Sequence, residues 1–175
     1  MGNDRGVTLV ELILVILIMG ILAGSGVIGY RSLDSGSAKA TVTRISALLD
    51  YVQLENMSKD KTYYLVIEKQ GNSFVAKVQY EVEDIRIDLL KEKLKLKEGK
   101  ITYYIKGSDI EYNVDDTSTP VVTLEISYLK ASGAFRKADM NGDGVEEDIS
   151  HIDIASSGRS FTIHLVTATG KHYIK

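Results

Sequence analysis

A single carboxylate, Glu11, stands inside a stretch that is otherwise almost wholly apolar, from Val7 to about Ile28. On insertion scales a lone acidic residue inside a membrane helix costs about 2.5–3.5 kcal/mol, and such residues usually have a partner. No Lys, Arg or His occurs between Val7 and Tyr30, so the partner is not another side chain of this segment. One candidate remains: an amine freed by cutting the chain between Gly6 and Val7, positively charged near neutral pH. It would lie one helical turn from Glu11 or face the Glu11 of a second chain. The chemistry suggested at this end is processing of the chain followed by charge pairing in an apolar medium.

A second constellation is acidic. Asp139-Met140-Asn141-Gly142-Asp143-Gly144 puts oxygen ligands at positions one, three and five and glycine at six, as in the first half of a calcium loop. The glycine permits the sharp turn that lets alternating oxygens converge on one hard cation. Val145 offers its backbone carbonyl and Glu147 stands at the ninth position. The twelfth position is Ser150, where a bidentate carboxylate is expected, so Glu146, Glu147 or Asp148 would have to substitute. A polar surface turn that binds nothing is the competing reading. Calcium is the one cofactor for which the sequence offers a candidate site.

Elsewhere the chemistry is thin. His151, His164 and His172 lack metal-ligand spacing and read as surface or edge-strand residues. His164 and His172 fall on a terminal hairpin without being expected cross-strand partners. Glu83 and Asp84 are adjacent, and strand neighbours face opposite ways, so they make a poor acid/base pair; a strand end or turn suits them better. No serine sits in a nucleophile elbow. The absence of cysteine removes disulfides and thiol nucleophiles. No catalytic constellation emerges, and an enzyme is not expected. A net charge of -3 argues against a nucleic-acid surface.

The elements that must hold these residues divide the chain in two. Its 175 residues suffice for one ordinary domain plus one extra element. Val7 to Ile28 is long enough to cross a hydrocarbon core of ~30 Å as a helix. Arg31 to Ser37 holds Ser, Gly and Asp and suggests a bend or weak spot. Val42, Ile45, Leu49 and Val52 then recur at three and four residues, predicting a second helical half from about Ser37 to Met57 with one apolar stripe. Beyond Lys61 the period becomes two. Tyr63 to Lys69 and Ser73 to Val82 read as strands around a turn at Gln70-Gly71-Asn72. Ile85 to Lys97 is ambiguous between strand and short helix. Ile101 to Ile105 and Val121 to Leu129 are further strands. Ser160 to Val166 and Lys171 to Ile174 form a hairpin around Thr169-Gly170, placing Leu165 roughly opposite Ile174.

Gly6-Val7-Thr8-Leu9-Val10-Glu11 resembles the processing site of type IV pilins and pseudopilins: a short charged leader ending in Gly, an apolar first residue, Thr-Leu, and Glu at the fifth mature position. The resemblance covers Arg5 to about Ile28. It implies that a prepilin peptidase cuts between Gly6 and Val7 on the cytoplasmic side and methylates the new amine. Val7 stands where Phe is common. Ile28 stands where many members carry a proline, and Gly20, Gly24, Gly26 and Gly29 would loosen the helix instead. A secretory signal peptide is the alternative, with Leu12 to Leu22 as its core and Ala23-Gly24-Ser25 as its cleavage site; it leaves Glu11 unexplained. The closing run Gly170-Lys171-His172-Tyr173-Ile174 is similar to endings of minor pilin-like proteins of Gram-positive bacteria.

These resemblances imply an α+β type IV pilin fold: a long N-terminal helix, its first half membrane-spanning, packed on an antiparallel β-sheet. The expected divisions are a leader at 1–6, a transmembrane and assembly helix at 7–30, the amphipathic half of the helix at 31–59 and a globular β-sheet domain at 60–175. The expected function is a structural subunit of a type IV pilus or pseudopilus, polymerised through its helix. Its expected partners are other pilin subunits, prepilin peptidase, the membrane and the pilus or type II secretion assembly machinery, with no specific nucleic acid. The precursor would cross the cell membrane once with its N-terminus in the cytoplasm and its globular domain outside. The rival is a membrane-anchored or secreted calcium-binding module that does not polymerise.

Overall fold

The computed structural model describes residues 9–96, 99–108, 110–115, 117, 122–137 and 147–175; before residue 37 it describes the side chains of residues 10 and 12–19 only. A single helix, α1 (Leu9–Ser58), precedes all the described strands. Its 50 residues make a rod of about 75 Å. It runs unbroken through residues 31–37, where the sequence suggested a bend. Ser, Asp and the lone Gly36 each disfavour helix by about 1 kcal/mol or less relative to Ala, too little to interrupt a helix anchored downstream.

The anchor is an amphipathic stripe. Ala38, Val42, Ile45, Leu49 and Val52 are buried, as the three- and four-residue spacing predicts. Glu55 is also buried and pairs with Lys59. The end of the helix is tied to β1 (Thr62–Gln70) by one side chain. Asn56 Nδ2 donates to the Val52 carbonyl at 2.9 Å and to the Tyr63 carbonyl at 2.8 Å, while the Tyr63 amide donates to Asn56 Oδ1 at 3.0 Å. Asn56 is itself buried, so this satisfied amide fixes the exit of the helix relative to the first strand.

Two antiparallel sheets follow, where the sequence suggested one. The first joins β1 with β2 (Ser73–Val82), β3 (Ile85–Lys93) and β6 (Leu124–Ser127) in the order β3-β2-β1-β6. The ambiguous segment after Ile85 is thus a strand, and an exposed one. The second sheet takes β4 (Lys100–Ile105), β5 (Glu111–Asn113), β7 (Ile149–Ser156), β8 (Arg159–Val166) and β9 (Lys171–Ile174) in the order β5-β4-β7-β8-β9. Leu94 and Leu96, both buried, follow the edge of the first sheet and precede the second. The helical stripe and the inward residues of both sheets form one core, with Leu65, Ile67, Val78 and Ile126 from the first and Ile101, Ile152, Ile154 and Ile163 from the second.

Tight turns set the pairing. Glu83 and Asp84 form a two-residue turn with φ of 50° and 64°, and Ser157-Gly158 form another with φ of 50° and 78°. Positive φ at both central residues matches the right-handed twist of the flanking strands. The terminal hairpin is shifted from the sequence reading. Leu165 pairs with His172, and Ile163 pairs with Ile174. The pairing closes at Val166 and Lys171 around a four-residue loop, 167–170, and counting out from that pair sets Leu165 opposite His172. The Thr169 and Gly170 amides both donate to the Val166 carbonyl at 3.0 Å. Gly170 has φ of +67°, and a Cβ there would overlap the Gly133 carbonyl oxygen, so only glycine fits. That same carbonyl accepts from Gln53 Nε2 at 2.7 Å, tying both loops to the helix.

Candidate functional site

On the first part of α1, Val10 and every residue from Leu12 to Met19 is apolar, and each side chain is between 46% and 70% exposed. Successive helical residues advance by about 100°, so this run covers every azimuth of the helix. It has no face to hide. A helix apolar all round belongs in a protein core or in lipid. Among the described residues no helix is long and apolar enough to cross a membrane. The sequence, though, continues the apolar run to about Ile28. Gly6 and Val7 lie outside the described residues; Glu11 lies on α1, and its side chain is outside them.

Four members of the proposed calcium loop, Asp139, Asn141, Asp143 and Val145, also lie outside the described residues. Glu147 is half-buried and lines a cleft with Arg136, Asp148 and Leu165. Asp148 lies 3.8 Å from Lys137 Nζ. Ser150, at the twelfth loop position, belongs to β7, and its hydroxyl donates to the Tyr104 carbonyl at 3.1 Å. Its side chain is therefore committed to the sheet.

The histidines follow the sequence reading in part. His164 and His172 are indeed not partners; His164 faces Tyr173 and His172 faces Leu165. His172 is on the edge strand β9, yet its side chain is only 6% exposed. Its Nε2 meets Ser46 Oγ at 2.8 Å, with Asp50 Oδ1 at 3.8 Å from the same nitrogen. Ser, His and Asp thus come together without making a triad. A triad needs the serine at one ring nitrogen and the carboxylate at the other. Here both compete for one, which suits a strut between α1 and β9. His151 and His164 are direct cross-strand partners on β7 and β8, which the sequence reading missed. The signal was available: Ser157-Gly158 between two alternating runs marks a two-residue turn, and counting outward from it sets residue 151 opposite 164.

Two buried phenols complete the polar inventory. Burial pushes the Tyr103 hydroxyl up to about 12, and burial pushes Tyr128 higher still. Neither hydroxyl has a hydrogen-bond partner among the described residues. Both are packing residues: Tyr103 stacks on Tyr112, and Tyr128 packs against Phe135 at a tilt of 33°. Among the described residues no group of three or more His, Cys, Asp or Glu side chains is placed to hold a metal.

Comparison with known proteins singles out the N-terminus. Residues 1–27 match the family model described as the prokaryotic N-terminal methylation motif. No curated protein and no solved structure matches the chain. The matched residues contain the Gly6-Val7 junction, Glu11 and the apolar helix that the structure leaves uncovered. The chain carries the N-terminal methylation signature of type IV pilins and pseudopilins.

Proposed function

We propose that the protein is a structural subunit of a type IV pilus or pseudopilus, with a pilin fold, that polymerises through the first half of α1. The observation that carries this is the all-round apolar surface from Leu12 to Met19, on a helix that continues into the core of the β domain. A surface of that kind needs lipid before assembly and neighbouring apolar helices after it. The signature at residues 1–27 supplies the route from one to the other. Prepilin peptidase cuts between Gly6 and Val7 and methylates the new amine. The precursor crosses the cell membrane once, with residues 1–6 in the cytoplasm and residues 60–175 outside. Glu11 pairs with the Val7 amine, its own or a neighbour's, and so sets the register in which subunits leave the bilayer. The pilus or type II secretion machinery and other pilin subunits are the partners. The family marked by this signature is structural, and no catalytic step is assigned to the chain.

Two measurements test this. The mature protein from its host should begin at Val7 and weigh one methyl group more than the bare chain; a start near Gly26 would return it to a secreted module. Glu11→Ala should leave cleavage and insertion intact and abolish or strongly reduce filaments. Normal filaments from that variant would sink the pairing role. Calcium is a separate part of the reading. Asp139, Asn141, Asp143 and Val145 would supply oxygens, with Glu147 at the ninth position. Because Ser150 is tied to Tyr104, a neighbouring carboxylate such as Glu146 would have to close the shell. A calorimetric titration of the full chain that shows no calcium heat would remove calcium and leave the filament reading standing.

A further inference from the structure

The outer face of the second sheet carries a row of four rings, one from each of four adjacent strands. Tyr104 stacks on His151 at 4.3 Å and 9°, His151 faces His164 at 5.7 Å and 35°, and His164 stacks on Tyr173 at 4.9 Å and 22°. The two imidazoles sit side by side in the middle, half-exposed, with a tyrosine bracing the outer face of each. Burial, then the charges of Glu111 and Asp153, push the Tyr104 phenol up, so that brace is a neutral ring near neutral pH.

One hydroxyl selects the tautomer of His151. Ser150 Oγ lies 3.1 Å from the Tyr104 carbonyl and 2.8 Å from His151 Nδ1. Its single proton goes to the carbonyl, which can only accept. The contact with His151 must then run the other way, with Nδ1–H donating to Oγ. That leaves the lone pair of His151 on Nε2. Metal-bound histidines commonly have this arrangement, with the other ring nitrogen donating to a supporting oxygen that orients the ring. Ser150 reaches this position because the register of β7 against β4 slips there: Tyr104 pairs with His151 and Ile105 with Ile149, leaving Ser150 as the extra residue of a bulge. Bulges of this kind re-aim side chains and concentrate beside functional sites.

We propose that His151 and His164 form a two-imidazole site for a divalent transition-metal ion on the outer face of the second sheet. Imidazole nitrogen suits zinc, copper or nickel and does not suit calcium or magnesium, which take oxygen. A tetrahedral ion at about 2.0–2.1 Å from each nitrogen holds the two about 3.3 Å apart. The two ring centroids stand 5.7 Å apart, and the ion would draw the imidazoles together across the strand pair. The protein supplies two ligands, and the remaining positions are open to water or to a donor from another molecule.

Zinc is the probe. The full-length chain in detergent micelles, dialysed against zinc with excess calcium present, should take up about one zinc per chain with a dissociation constant in the micromolar range. His151→Ala and His164→Ala should each weaken that binding by about tenfold or more, Ser150→Ala by less, and His172→Ala not at all. Binding that survives either substitution, or no stoichiometric uptake, overturns the site. A readout on the unaltered chain guards against misfolded variants: zinc should protect His151 and His164 from acylation by diethylpyrocarbonate, read by peptide mass. Unchanged labelling at both would also overturn it.

Discussion

From Leu12 to Met19 the side chains of α1 are apolar at every position and exposed, whereas between Ala38 and Val52 the apolar stripe of Ala38, Val42, Ile45, Leu49 and Val52 recurs at helical spacing and is buried. Both stretches have the same backbone, and the difference lies in what surrounds them. The second stretch turns one stripe to two sheets and keeps Lys39, Arg44 and Asp50 in water. The first offers water nothing but hydrocarbon. Fully burying a large apolar side chain is favourable by about 1.5–3 kcal/mol, so the exposed run represents an unfavourable term that only lipid or other helices relieve. One helix therefore presents two kinds of surface, apolar all round in its first part and apolar on one stripe in its second.

The largest effect that separates the two halves comes from matched leucine truncations. Leu49 is fully buried, so Leu49→Ala should destabilise the folded domain by about 2–5 kcal/mol. Leu14 is 55% exposed, so Leu14→Ala should change that stability by about 0.5 kcal/mol or less while weakening membrane retention or assembly. Denaturant titration of both full-length variants in detergent, followed by circular dichroism, decides this. Equal shifts in midpoint would mean that the halves unfold as one unit and that the contrast is false.

The next effect tests how the buried half is held at its end. Asn56→Ala removes three hydrogen bonds but orphans fewer groups than that. The Tyr63 carbonyl keeps a bond from Ser127 Oγ at 2.8 Å, whereas the Tyr63 amide loses its acceptor. The expected loss is about 1–3 kcal/mol, the range for leaving a buried donor unsatisfied. Hydrogen exchange at the Tyr63 amide should accelerate by more than exchange in β8. A uniform acceleration would show that Asn56 supports the whole domain instead of the joint between helix and sheet.

How legible each half was in the sequence follows the same division. The stripe of Val42, Ile45, Leu49 and Val52 announced both helix and buried face, because period and burial have one cause there. The β1–β2 hairpin was readable from Gly71 and alternation. β7 was not read, because the bulge at Ser150 breaks its alternation just after an acidic loop. With β7 unread, the contact between His151 and His164 went unread too, although the Ser157-Gly158 turn sets the two residues opposite each other. The shift of the terminal hairpin came from loop length: Gly170 was recognised as a turn residue, but its position as the fourth loop residue depends on the Val166 carbonyl accepting two amides. The reading of Gly6, Val7 and Glu11 rests on a different kind of reasoning. Their logic is chemical and local, a charge in hydrocarbon that needs a partner, and it does not depend on how the rest of the chain folds.

The smallest effect probes the flank of the buried half. Arg44 Nη2 donates to Glu92 Oε2 at 2.7 Å, and Nε donates to Oε1, a two-pronged contact from α1 to the edge strand β3. The hydrogen bonds to Glu92 raise the Arg44 pKa, so the guanidinium stays charged throughout the accessible range. The pair is nevertheless open to solvent, with the Arg44 side chain 49% exposed and that of Glu92 25%. A double-mutant cycle with Arg44→Ala and Glu92→Ala should give a coupling of about 0.2–1 kcal/mol, as for exposed pairs in general. The coupling should shrink with added salt, because charges at the surface are screened. A salt-insensitive coupling well above that range would mean that the ion pair shares with the apolar stripe the work of holding β3 to the helix. The attachment of the second half of α1 would then be electrostatic as well as hydrophobic, and its contrast with the first half would be one of charge as much as of burial.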